Sequence, residues 1–132
     1  MYTYKTTTKL HQADAAGIVF FVNYFTLAHD AYEAFMESIG YNFNYIIKQT
    51  DMLLLIGHAE ADYIQSLSPG EKIQVNVKAG KIGHSSYTLN YEIFDSENEL
   101  ACRLKTTHVA IDKKGSKIEL PDRLRTELEA IK

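Results

Sequence analysis

One cysteine, no tryptophan, two prolines and seven glycines occur in 132 residues. Cys102 has no partner, so no internal disulfide holds the chain, which fits a reducing compartment such as the cytoplasm. So little proline and glycine excludes a collagen-like or low-complexity chain. Long apolar runs are missing too. The longest, Ala15 to Val22 with Gly17 inside it, falls far short of the ~20 residues that span a bilayer. The opening residues Met1-Tyr-Thr-Tyr-Lys-Thr-Thr-Thr hold no apolar signal core. Positive charge is not in excess: 14 basic residues face 17 acidic ones, a net charge of −3, which speaks against a nucleic-acid partner. What remains is an ordinary globular composition, 45% hydrophobic, at a length suited to one domain over residues 1–132.

Periodicity organises that length. Tyr2 to Leu10, rich in Tyr and Thr, predicts a strand. From about Phe21 the period changes: Tyr24, Leu27, Ala28, Ala31, Tyr32, Phe35, Met36 and Ile39 fall on one helical face, with Glu33 and Glu37 opposite. That pattern predicts a helix of roughly five turns, with Gly40 as its stop. Tyr41 to Gln49 predicts a short second helix. Strands are expected over Met52 to Ser66, around Ile73, Val75 and Val77, over Tyr87 to Phe94, and over Leu100 to Asp112. Pro121 to Ile131 closes as a charged helical tail. Consecutive strands joined by short turns make an antiparallel sheet, so the expected class is α+β, with one apolar helix facing that sheet.

The chemistry concentrates in His11-Gln-Ala-Asp14-Ala-Ala-Gly17-Ile-Val-Phe-Phe-Val-Asn23-Tyr24. A carboxylate sits on a tight turn, a glycine follows three residues later, and an apolar helix starts just beyond. Free N–H groups at a helix start, here around Phe20 and Phe21, can hold a developing oxyanion. A carboxylate beside that oxygen can attack or activate water. A lone Asp-x-x-Gly is more often a plain turn.

The longer string is more specific. Asp14-Ala-Ala-Gly-Ile-Val-Phe-Phe-Val-Asn-Tyr, followed by His29-Asp-Ala-Tyr-Glu33, resembles the hotdog-fold 4-hydroxybenzoyl-CoA thioesterase family. Within it, the likeness is greatest to the 1,4-dihydroxy-2-naphthoyl-CoA thioesterases of quinone biosynthesis. His58-Ala-Glu-Ala-Asp62 and Ser68-Pro-Gly-Glu71 are similar to a further strand and turn of the family. The resemblance implies a five-stranded antiparallel sheet wrapped around one long helix, assembled as a homodimer or homotetramer. It implies hydrolysis of an aromatic acyl-CoA with no cofactor and no metal, with Asp14 as the catalytic carboxylate. Gly17 would permit the active-site turn, and the Phe21 N–H would polarise the thioester carbonyl. Ala15 stands where some members have proline and His11 where many have an aromatic residue; neither removes a group the reaction needs.

Other residues are weighed against plainer roles. Phe20 and Tyr24 are positioned to flank a flat ring, or simply to seal the helix against the sheet. His58 is a candidate for the acyl pocket, and with Glu60 and Asp62 it shares one strand face. Lys81, His84 and Ser85 are candidate contacts for the CoA phosphates, or a polar bend eased by Gly83. His29-Asp30 suggests a metal-dependent phosphohydrolase, but the further ligands that chemistry needs are not evident. Two other functions stay open: a thioesterase for short aliphatic acyl-CoA or acyl-carrier-protein substrates, and a domain that binds acyl-CoA without turnover. A hotdog dehydratase is disfavoured, because its His-bearing active turn with a Glu partner on the helix is not matched.

Overall fold

The computed structural model describes residues Met1–Lys132. Five strands form one antiparallel sheet in the order β1-β3-β4-β5-β2. They are β1 (Tyr2–Thr7), β2 (Met52–Tyr63), β3 (Lys72–Ile82), β4 (Ser86–Phe94) and β5 (Leu100–Asp112). Three helices complete the chain: α1 (Asn23–Ser38), α2 (Phe43–Gln49) and α3 (Asp122–Ala130). The sheet wraps around α1, as the resemblance implies. No helix is long and apolar enough to cross a membrane.

The helical stripe read from spacing is the buried face of α1: Tyr24, Leu27, Ala28, Ala31, Tyr32, Phe35 and Met36 are all buried. These side chains meet the alternating inward residues of the sheet, such as Val75 and Val77 of β3 and Tyr87, Leu89, Tyr91 and Ile93 of β4. The helix stops where glycine was expected to stop it. Gly40 takes φ +86°, its N–H bonds to the Glu37 carbonyl, and the Tyr41 N–H reaches back to Met36, a Schellman closure. Leu124 and Leu128 of α3, with Ile131 just beyond it, enter the same core.

Three boundaries differ from expectation. Strand β1 ends at Thr7 rather than Leu10, because Thr8 turns its backbone and hydroxyl to the Ser68–Glu71 turn, and Leu10–Gln12 coil into a single 3-10 turn. Helix α1 begins at Asn23, after Phe21 and Val22 have formed a turn of their own. Strand β2 stops at Tyr63, and it lies at the edge of the sheet with its register broken by a bulge between Ile56 and His58.

Helix α1 is seated off-centre on the sheet. It lies mainly against β1, β3 and β5; its Tyr24 meets Tyr63 at the end of β2, and α2 packs on the same strand. Edge strand β2 is nevertheless exposed along most of its length, unlike β3 and β4.

Candidate active site

The segment between β1 and α1 closes into a small loop. Ala13 and Val19 pair as an isolated bridge, the Asp14 N–H donates to the Ile18 carbonyl at 2.9 Å, and the Gly17 N–H donates to the Asp14 carbonyl at 3.0 Å. Gly17 takes φ +79°, a conformation that resists any side chain. One Asp14 oxygen, Oδ1, accepts the Ala16 N–H at 2.8 Å. The other has no partner in the chain, and Asp14 is exposed, so half of its carboxylate is free to act.

The start of α1 supplies the opposite polarity. The N–H groups of Phe21 and Val22 find no acceptor within the chain, whereas that of Phe20 is consumed by the Gln12 carbonyl at 2.9 Å. This narrows the expectation for the Phe20–Phe21 pair of donors to Phe21 alone. Two anchors fix that turn. The Gln12 carbonyl also accepts the Asn23 side-chain amide at 2.8 Å, and the Phe21 carbonyl accepts the Tyr63 hydroxyl at 2.9 Å.

Asp14, Phe20, Phe21, Tyr24 and Tyr63 line one cavity of about 300 Å³. The aromatic rings touch: Phe20 and Phe21 at 4.8 Å, Tyr24 and Tyr63 at 5.1 Å between centroids. Tyr24 is buried, and its hydroxyl accepts the Leu67 N–H at 3.1 Å and donates to the Gln65 carbonyl at 3.3 Å. Burial pushes its phenol pKa up, so it stays protonated and acts as a fixed neutral wall. The arrangement joins an unpaired carboxylate oxygen to unpaired N–H donors on an apolar cleft. Chemically, that suits addition to a carbonyl whose oxygen becomes negative.

The other expected site residues are not gathered here. His58 lies on the outer face of β2 with its Nε2 3.1 Å from Glu60, the face opposite to that of Tyr63, and does not line the Asp14 cavity. The parity of the strand explains it: the bulge puts Ile56, Ala59, Ala61 and Tyr63 inward and His58, Glu60 and Asp62 outward. Lys81, His84 and Ser85 sit at the far end of the β3–β4 hairpin, about 20 Å or more along the strands from the Tyr63 row. His84 there bonds Ser85 at 3.1 Å and approaches Glu119 at 3.8 Å, while Arg125 donates to the Gly83 carbonyl at 2.9 Å. His29 is exposed on α1, 3.6 Å from Glu33.

Sequence reasoning missed Tyr63 and Gln12. Tyr63 had a signal, since it shares the inward parity of Ala59 and Ala61 and is the last large aromatic before the turn. Gln12 acts through its backbone carbonyl, which no side-chain pattern reveals.

Residues 8–128 match the model of the thioesterase-like superfamily. The 1,4-dihydroxy-2-naphthoyl-CoA hydrolase of Gloeothece citriformis is 34% identical over 125 residues, covering 92% of this chain and 87% of that one. The protein of the same description from Nostoc punctiforme is 33% identical over 129 residues, covering 97% and 86%. Among solved structures, a 1,4-dihydroxy-2-naphthoyl-CoA thioesterase from Synechocystis superposes with a TM-score of 0.91 at 29% identity, covering 96% of this chain and 94% of its own.

Proposed function

The chain belongs to the thioesterase-like superfamily, and from that premise we propose that it hydrolyses the thioester of an aromatic acyl-CoA, with 1,4-dihydroxy-2-naphthoyl-CoA as the favoured substrate. The observation that carries this is the pairing of a free Asp14 oxygen with the free Phe21 N–H on one apolar cavity. The relatives in Gloeothece and Nostoc, similar over nearly the whole chain, supply the acyl group.

In this reading the thioester carbonyl lies over the Phe21 N–H, at the start of α1, where the helix dipole adds to the donor. Asp14 either removes a proton from water as the water adds to the carbonyl, or adds itself to form a mixed anhydride that water then opens. Either route breaks the C–S bond, releases CoA as its thiol and frees the carboxylic acid. Gly17 keeps the Asp14 turn tight enough for both groups to face one carbonyl. The substrate cleft is walled by Phe20, Tyr24 and Tyr63.

A homo-oligomer is part of the proposal. The outer edge of β2 is twelve residues long and unpaired, and Leu55, Ile56, Tyr63 and Ile64 are large, apolar and exposed on or next to it. Such an edge needs cover, and a second copy across a two-fold axis provides it. A role for Lys81, His84 and Ser85 in binding the CoA nucleotide, within one chain or across that two-fold axis, is part of the same proposal.

Measuring thiol release from a panel of naphthoyl, benzoyl, acetyl, butyryl and hexanoyl thioesters tests the assignment. The aryl thioesters should have the higher kcat/KM. Equal or better hydrolysis of the aliphatic set would move the assignment to a short-chain thioesterase, and binding without release would make the protein an acyl-CoA-binding domain.

A further inference from the structure

Phe21, whose N–H faces the thioester carbonyl, is itself thinly held. Its ring is 57% exposed and takes no part in the core. Its carbonyl receives the Tyr24 N–H only at a long 3.4 Å. The short bond comes from across the fold: the Tyr63 hydroxyl, 42 residues away in sequence, donates to that carbonyl at 2.9 Å. The upstream side is fastened separately, by the Phe20 N–H and the Asn23 amide on the Gln12 carbonyl at 2.9 and 2.8 Å. Phe21 therefore sits between two clamps, one from the loop and one from the sheet.

The sheet side of the clamp is specified in detail. Tyr63 is the last residue of β2, and the bulge between Ile56 and His58 gives it the inward parity of Ala59 and Ala61. Its ring stands edge-on to Phe21 at 6.2 Å and to Tyr24 at 5.1 Å, with an interplanar angle of 83° in both pairs. Tyr24 is fixed in turn by Leu67 and Gln65, so the phenol of Tyr63 reaches the helix start from a rigid neighbour. Burial, with a smaller push from Cys102, raises the Tyr63 pKa, so the hydroxyl stays a neutral donor. It points to α1 of its own chain, so a second copy lying over β2 would leave the bond in place and keep water from it.

We propose that Tyr63 is a positioning residue for thioester cleavage: through the Phe21 carbonyl, its hydroxyl holds the Phe21 N–H on the place where the oxyanion will form. A donor stabilises a developing charge most when it is aimed beforehand, because nothing then has to reorganise during the reaction. Without the hydroxyl, the Phe21 carbonyl keeps only the 3.4 Å contact and the donor loses its aim. The proposal rests on the thioesterase reading and is independent of the acyl group, since every acyl-CoA presents the same carbonyl.

Tyr63→Phe keeps the ring and removes the hydroxyl. Thiol release from naphthoyl, benzoyl and hexanoyl thioesters is compared between the variant and the wild type. On every thioester that the wild type cleaves, kcat should fall by a similar factor, ~5–50-fold, with KM within about threefold. The factor should hold from about pH 6 to about pH 9, because a neutral phenol acting through a backbone carbonyl exchanges no proton with the substrate. A second measurement reads the donor directly, whatever the variant does to stability. In Asp14→Asn protein, which preserves the bound thioester, the infrared stretch of a 13C-labelled 1,4-dihydroxy-2-naphthoyl-CoA carbonyl is recorded with and without Tyr63→Phe. The added substitution should move the stretch towards that of the free thioester. Retention of more than half of wild-type kcat, a loss confined to the aryl thioesters, a raised KM with kcat unchanged, or an unmoved stretch overturns the proposal and leaves the thioesterase reading standing. A wild type that releases no thiol from any of these thioesters ends that reading and the proposal with it.

Discussion

Replacing Asp14 by Asn separates its chemistry from its structural part. The carboxylate Oδ1 accepts the Ala16 N–H at 2.8 Å, and an amide oxygen takes over that bond at the same place. The side chain is exposed, so the change should shift stability by no more than ~0.5 kcal/mol. What disappears is the negative charge and the free oxygen that attacks or activates water. Loss of such a group costs ~10³-fold or more in kcat, equivalent to about 4 kcal/mol of barrier. Asp14→Ala is the informative companion, because it also forfeits the Ala16 bond and should cost a further ~1 kcal/mol of stability. The assay is release of CoA thiol followed with a disulfide dye. It is clean here, since Cys102 is buried and its thiol is pushed up to about 12, mainly by burial. Retention of more than one-tenth of wild-type kcat by Asp14→Asn, with an unchanged melting temperature, would refute the role assigned to Asp14.

Other outcomes depend on equally local features. Gly17→Ala should cost ~1–2 kcal/mol from the φ of +79° alone, because a Cβ there meets nothing, whereas Gly40→Ala should cost more, because its Cβ also displaces Arg123 from the Ile39 carbonyl; chemical denaturation ranks them. Stability should fall as pH drops below ~6.5, at up to about 1.4 kcal/mol per unit, because unfolded His108 gains a proton that the folded ring, held neutral by burial and by His29, refuses until about pH 3; urea midpoints at pH 7 and pH 4.5 in wild type and His108→Gln isolate that share. Light scattering at micromolar concentration should give at least a dimer, and a fully active 15.0 kDa species would exclude the shared edge. Cys102 should be silent to the dye in the native protein and react once it is unfolded.

The fold was legible because its main elements obey local rules. The α1 stripe and the Tyr87–Ile93 alternation are one-dimensional signals that burial then follows. The Asp14–Gly17 turn was legible as a motif, and its free carboxylate oxygen and N–H donors match it. The cavity between α1 and β2 was not legible, for a tertiary reason: it forms where Phe25, His29 and Glu33 of the helix face Ile56 and Ala59 of the strand, residues distant in sequence. The shared face of His58, Glu60 and Asp62 was legible from alternation, and the bulge at Gly57 turns that face away from the Asp14 cavity of the same chain. Buried polar residues near the α1–β2 cavity did leave a trace in the sequence: Thr106 and His108 are polar at the inward positions shared with Cys102, Leu104 and Ala110.

The strand order also sets a schedule for the nascent chain. Strand β2 pairs only with β5, which is synthesised about forty residues after it. At ~5–20 residues per second, its Leu53-Leu-Leu-Ile56 run, which pairs with Ile111–His108, waits unpaired for about 3–12 s. Strands β3 and β4 come next as a local hairpin and can form at once. Strand order thus leaves the apolar β2 run as the segment whose partner is made last, and the β3–β4 hairpin as the one whose partner is made soonest.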